Sequence, residues 1–203
     1  MQDHYYSRKP ASESSPNEIR YSYMGESFRF MTDSGVFSKD KVDRGTDLLL
    51  EALEGEQAAS FMDMGCGYGP VGICFGATHK GVKVHMADIN ERACKLAESN
   101  ALLNGVQALV RQSDGFGSFA QARFDCVAIN PPIRAGKQVV RDLMAQAMEA
   151  LSDGGRLYVV IRTRQGAASL RAYLAELFGN CDEPELGSGY RVLRCRKAPK
   201  AII

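Results

Sequence analysis

Four short stretches of the sequence carry residue types that can do chemistry. The densest is Asp63-Met64-Gly65-Cys66-Gly67-Tyr68-Gly69-Pro70-Val71-Gly72. Glycines let a backbone turn tightly and approach a ligand with no Cβ in the way. A helix that starts behind them offers N–H groups with no intrahelical partner. Gly67-x-Gly69-x-x-Gly72 satisfies the dinucleotide fingerprint, and Asp88 stands 21 residues after Gly67, where a ribose-binding acid belongs. An NAD oxidoreductase is therefore one reading of the loop. Asp63 favours another. A carboxylate two residues before the first glycine would oppose a pyrophosphate but favour a ligand carrying an ammonium or sulfonium, and S-adenosylmethionine carries both. Asp88 suits either cofactor, since both present a ribose diol.

The remaining stretches follow downstream. Asp114-Gly115 is placed to accept a hydrogen bond from an adenine amino group, although aspartate before glycine is also a common turn. Asn130-Pro131-Pro132-Ile133 ends an apolar run. Two prolines cannot continue a central strand, and they stiffen the backbone. The Asn130 side-chain oxygen and a neighbouring main-chain carbonyl then form a pair of fixed acceptors. They suit an exocyclic amine, whose lone pair is delocalised into its ring and which must become pyramidal to attack a methyl group. Beside them, Arg134 and Lys137 could hold phosphates of an RNA strand.

These residues need a scaffold, and the pattern supplies one. Strands are expected at Ser60–Met64, Val82–Ala87, Ala108–Arg111, Phe124–Ile129, Arg156–Ile161 and Arg191–Arg196. Helices are expected at Pro70–Thr78, Glu91–Asn104, Gln138–Leu151 and Gln165–Phe178, with Asn90 as an N-cap and Gly105 as a stop. Runs such as Leu157 to Ile161 suit strands buried on both faces. Alternation of this kind means a doubly wound α/β sheet. Upstream, Ile19 to Phe30 alternates around Gly25-Glu26 as a hairpin with a type II′ turn, and 43–53 reads as a leading helix. Residues 1–18 read as a mobile arm, and 19–203 as one domain: hairpin 19–34, helix 43–53, ligand-binding core 58–197.

Composition excludes little. Lys+Arg number 25 against 24 Asp+Glu, so net charge neither demands nor forbids a nucleic-acid partner. Residues 191–203 hold five basic residues and no acid. No apolar run approaches the ~20 residues of a membrane helix, and the polar start lacks a signal-peptide core, so a secreted or membrane protein is not expected. The six scattered cysteines lack metal-ligand spacing and read as free thiols of a reducing cytosol; no metal is expected.

Asp63-x-Gly65-x-Gly67-x-Gly69, Asp88 and Asn130-Pro131-Pro132 together resemble class I S-adenosylmethionine-dependent methyltransferases that act on planar amines. Gly35-Val36-Phe37-Ser38 with Asp43-x-Gly45 resembles the segment before the glycine loop in the RsmC-like ribosomal RNA guanine-N2 methyltransferases. His4-Tyr5-Tyr6-Ser7, the run Asn130 to Lys137, Gln165-Gly166-Ala167 and Gly189-Tyr190-Arg191-Val192 resemble short, single-domain members of that group. The resemblance implies a seven-stranded, mostly parallel Rossmann-like sheet with helices on both faces. It implies S-adenosylmethionine on Phe37, Ser38, Asp63, Gly65, Cys66, Gly67, Gly69, Asp88, Ile89, Asp114, Gly115 and Asn130. It places catalysis on Asn130, Pro131, Pro132 and Ile133, with RNA, ribosomal RNA foremost, as substrate. Ile133 stands where many amine methyltransferases carry an aromatic residue. Methylation of another amine, such as a protein glutamine, and a non-catalytic RNA-binding module are the alternatives.

Overall fold

The computed structural model describes residues 13–199. The chain opens with strands β1 (Asn17–Tyr23) and β2 (Glu26–Thr32), an antiparallel pair in which Tyr23 faces Glu26. Met24 and Gly25 both have positive φ, 48° and 80°. That is the type I′ pattern, in place of the type II′ turn expected at Gly25-Glu26; its twist matches that of the strands. Most of the arm expected over 1–18, including His4 to Ser7, lies outside the described residues. At its end, Ser14 Oγ donates to Asp33 Oδ2 at 2.8 Å.

Helix α1 (Arg44–Leu53) is capped by Asp43, which accepts from the Gly45 N–H at 2.9 Å. The chain then alternates: β3 (Ser60–Met64), α2 (Pro70–Thr78), β4 (Lys83–Asp88), α3 (Glu91–Leu103), β5 (Ala108–Gln112), β6 (Phe124–Ile129), α4 (Lys137–Ala150), β7 (Leu151–Arg162), α5 (Ala167–Phe178), β8 (Asp182–Gly187) and β9 (Tyr190–Arg196). The large sheet has seven strands in the order β5-β4-β3-β6-β7-β9-β8. All pairings from β5 to β7 are parallel, and β9 runs antiparallel to both its neighbours. This is the doubly wound, Rossmann-like sheet that the sequence implied.

Two departures have physical causes. The segment Asp153-Gly154-Gly155, which follows the helix expected at Gln138–Leu151, lies inside β7, where the pairing with β6 slips between Phe124 and Cys126. Gly155 permits this irregularity, because a Cβ there would come within 2.9 Å of Ser152 O and 3.0 Å of Phe124 O. Strand β8 was not expected at all. Its sequence, Asp-Glu-Pro-Glu-Leu-Gly, is acidic and contains proline, a composition that suits only a sheet edge, and β8 is the edge strand.

Strand alternation sorts the sheet into two faces. Phe61, Met86, Ala128, Val160 and Val192 pack with α1, α2, α3 and the hairpin. Met62, Ala87, Ile129, Val159 and Leu193 pack with α4 and α5. The hairpin is joined to the first layer through α3. Asn100 Oδ1 accepts from Met31 N–H at 2.7 Å and its Nδ2 donates to Met31 O at 2.9 Å. Asn104, one helical turn on, makes the same pair with Arg29 N–H and O, at 3.0 and 2.8 Å. Two side-chain amides thus extend the ladder of β2. Tyr23, Phe28 and Phe30 are buried, as hairpin packing requires. No helix among the described residues is long and apolar enough to cross a membrane.

Candidate active site

The strand order reverses beside β3: the chain moves outward to β4 and β5, then returns to place β6 on the other side. Ligands of such sheets bind at this switch, beyond the carboxyl ends of the strands. A cavity of about 410 Å³ lies there, within the size range of cofactor sites.

Its floor is the glycine loop. Gly65, Gly67 and Gly69 have φ of 75°, 57° and 92°, a region that a side chain strains. The N–H groups of Gly65 and Cys66 both donate to Ala87 O, at 2.8 and 3.0 Å, which locks the loop onto β4. Gly69 caps α2 from beneath and does not line the cavity. Gly72, the last of the fingerprint, is a packing glycine: a Cβ would meet Met86 Sδ at 2.7 Å.

Asp63 is 3% exposed, and its Oδ2 accepts from the Gly72 N–H at 2.8 Å. Burial, reinforced by the Asp88 carboxylate and opposed by the Gly72 N–H, pushes its pKa up to about 7. Asp88 accepts from Gly67 N–H and Asn90 N–H, both at 2.9 Å. Burial raises its pKa too, against the donors Asn90, Gly67 and Ile89. Two neighbouring carboxylates short of compensating cation make a site that fits a positively charged ligand. A carboxylate has about four acceptor sites, so both still have lone pairs for a ligand. Cys66 lines the same floor, but burial, with Asp88 and Asp63, pushes its thiol pKa well up, so it is no nucleophile.

The walls come from three places. Val36, Phe37 and Ser38 form one side. That segment is braced by α3: Asn90 Nδ2 donates to Gly35 O at 2.9 Å and Arg92 Nη1 to Ser34 O at 2.6 Å. Asn90 also caps α3, accepting from Arg92 and Ala93 N–H groups. Ile89, Asp114 and Gly115 border the cavity at the β4 and β5 ends. Asp43 and Thr46 of the first α1 turn, and Val139, Asp142, Leu143 and Gln146 of α4, close the remainder. Gln146 Oε1 accepts from Phe116 N–H at 3.0 Å and so fixes the Asp114-Gly115 turn. Sequence reasoning missed these α4 residues. Their only signal was an i, i+3, i+4, i+7 spacing, which an ordinary buried helix face shares.

Asn130 ends β6 in this cavity, with Pro131 and Pro132. The described residues offer no hydrogen-bond partner to the Asn130 side chain. Pro131 O accepts from Ile133 N–H at 2.9 Å, which tightens the loop into a turn of 3₁₀ helix, Ile133–Ala135. Ile133 does not border the cavity; it packs against the α4–α5 core. Arg134 and Lys137 are exposed outside the cavity. In the described part of the basic run, Arg191 pairs with Glu183, Arg194 with Asp182, and Lys197 donates to Leu151 O at 2.6 Å. Lys200 lies outside the described residues.

Residues 27–194 match the family described as the methyltransferase small domain. The chain belongs to that family. It is an S-adenosylmethionine-dependent methyltransferase with the class I fold, and the NAD reading of the glycine loop falls. The YbxB protein of Bacillus subtilis, uncharacterized in function, is 39% identical over 200 residues, 97% of this chain and 100% of that one. Ribosomal RNA small subunit methyltransferase C of Pseudomonas fluorescens is 30% identical over 167 residues, 80% of this chain and 49% of that one. The chain thus spans about half the length of the methyltransferase C relatives it matches. Among solved structures, the Thermus thermophilus 16S rRNA N2 G1207 methyltransferase (RsmC), bound to AdoMet and guanosine, superposes with a TM-score of 0.81 over 90% of this chain and 50% of that one, at 24% identity. At that identity the likeness is one of fold.

Proposed function

We propose that the chain methylates the exocyclic N2 amine of a guanine in RNA, ribosomal RNA foremost. The observation that carries this reading is the Asn130 amide, without a partner among the described residues at the end of β6, in one cavity with Asp63 and Asp88. The names of the methyltransferase C relatives support the RNA assignment.

S-adenosylmethionine supplies a methyl group already activated on a sulfonium. The residues of the chain do the rest. Asp88 holds the ribose, Asp63 faces the cationic amino-acid end, and the Asp114-Gly115 turn, with Ile89, holds the adenine. Phe37 and Ser38 cover the site from the braced segment. Asn130 Oδ1 and the Pro131 carbonyl accept the two amine hydrogens, draw the nitrogen toward pyramidal geometry and stabilise the positive charge that develops on it. Pro131 and Pro132 keep that pair fixed. A guanine within a duplex hides its N2 amine in the minor groove, so the target is unpaired or flipped outward.

The test is methyl transfer from labelled cofactor to unmodified ribosomal RNA, read by nucleoside mass spectrometry. N2-methylguanosine is expected. Methylated adenosine or a methylated protein side chain would refute the substrate and leave the methyltransferase.

A further inference from the structure

Asp63, Asn130 and Arg162 stand two residues beyond Phe61, Ala128 and Val160, which pack on one face of the sheet. Alternation therefore puts all three on that face, at the ends of the adjacent strands β3, β6 and β7. Asp63 belongs to the cofactor side and Asn130 to the transferred methyl. Arg162 is the next polar group in the row. Ile129 is level with Val159, so Arg162 lies two residues further out than Asn130 on the neighbouring strand. That puts their Cα atoms roughly 8 Å apart, from the rise and spacing of strands, a separation on the scale of a nucleotide.

Arg162 is exposed yet held. Its Nε donates to Tyr190 Oη at 2.8 Å, and its guanidinium carbon lies 5.0 Å from the centre of the Tyr190 ring. Tyr190 is its cross-strand partner on β9. The ring in turn presses on Gly45 in the first turn of α1, where a Cβ would come within 2.8 Å of Tyr190 Cε1. The neighbours of Gly45, Asp43 and Thr46, line the cavity. One contact thus joins Gly45 and Tyr190, one residue from each of the motifs Asp43-x-Gly45 and Gly189-Tyr190.

The other arginines of β7 and β9 are committed elsewhere. Arg156 pairs with Glu56, Arg191 with Glu183 and Arg194 with Asp182, while Arg196 donates to Gly154 O. Arg162 has no carboxylate partner among the described residues. With Nε on the tyrosine, both Nη groups remain for a ligand, in the fork that matches phosphate oxygens.

We propose that Arg162, held across Tyr190, takes the phosphate of the nucleotide whose amine Asn130 orients. Tyr190 and Gly45 are its positioning residues. This rests on the RNA reading above and adds to it the group that recognises the backbone.

The probe is a fluorescein-labelled single-stranded oligoribonucleotide with unpaired guanines, bound to the full chain with S-adenosylhomocysteine and followed by anisotropy from about 50 to about 200 mM salt. Arg162→Gln should weaken binding and lower the slope of log affinity against log salt by about 0.7, the loss of one phosphate contact on a single strand. It should lower kcat/KM for RNA about tenfold while leaving transfer to free guanosine, which has no phosphate, within about twofold. Arg162→Lys should keep the slope with reduced affinity. Tyr190→Leu should approach Arg162→Gln, and Tyr190→Phe, which keeps the ring, should fall between. Arg20→Gln, on the hairpin, should change nothing. An unchanged slope and kcat/KM in Arg162→Gln overturns the proposal, even where the wild type makes N2-methylguanosine. A lowered slope with methylation of another base sustains it and refutes the guanine assignment. A wild type that binds no RNA overturns both.

Discussion

The two halves of the site are built differently. On the β3–β4 side each functional group is tied down before any ligand arrives. Asp63 is bonded to Gly72, Asp88 to Gly67 and Asn90, and the loop to Ala87. On the β6–β7 side the two polar side chains are left open: among the described residues Asn130 has no partner, and Arg162 leans on a tyrosine alone. On the proposed reading, a cofactor common to many reactions meets a pre-formed, buried cradle, and the acceptor meets groups whose hydrogen bonds are completed only when it binds. Substitutions on the two sides should therefore fail in different ways.

The largest effect is expected at Asn130. On the proposed mechanism, Asn130→Ala removes an acceptor aimed at charge that develops only in the transition state. Single-turnover transfer should slow roughly 10²-fold or more, with cofactor affinity within a few-fold by calorimetry. Next comes Asp88→Ala, which loses hydrogen bonds to a charged group worth about 1.5–3 kcal/mol; cofactor affinity should fall about ten- to a hundredfold. Unchanged affinity in the folded variant would remove Asp88 from the ribose site.

Asp63 sharpens the comparison through pH. With its pKa near 7, the carboxylate that favours a cation is fully formed only above neutrality. Affinity for S-adenosylmethionine should rise roughly tenfold from about pH 6 to about pH 8, and Asp63→Asn should flatten that rise. Stability runs the other way. The folded-state pKa is raised above the unfolded value, so the folded protein binds the extra proton between about pH 4 and 7. The Asp63 contribution is full below about pH 4 and is lost as pH rises through 7. Denaturant titrations of wild type against Asp63→Asn should show this difference, and a parallel pair of curves would contradict it.

The smallest effect concerns Ile133. It packs on the α4–α5 core, away from the cavity. Ile133→Ala should cost about 1–2 kcal/mol of stability, less than the 2–5 kcal/mol of a fully buried site, and leave kcat within a few-fold. A large fall in kcat at unchanged stability would place it against the base.

The β3–β4 half of the cavity was readable in the sequence because its residues are local. Asp63, the glycines and Pro70 lie within one strand-turn-helix, and Asp88 stands at the next strand end. Helix α3 announced itself through Asn90 and Gly105 for the same reason. What escaped depends on contacts between distant segments. Asn100 and Asn104 look like ordinary polar helix positions until β2 lies beside them, and Gln146 looks like any residue of α4 until Phe116 meets it. Strand β8 contradicts strand propensity and exists because β9 offers an edge. Arg162 and Tyr190 become partners only through the antiparallel pairing of β7 with β9.

The central claim is that the two halves divide the work, and one paired measurement tests it most directly. Single-turnover methyl transfer to RNA is followed in Asp88→Ala and in Asn130→Ala as S-adenosylmethionine is raised to saturation. Saturation should bring Asp88→Ala back to within a few-fold of the wild-type rate and leave Asn130→Ala roughly 10²-fold slow. Recovery of both variants, or of neither, would contradict the division.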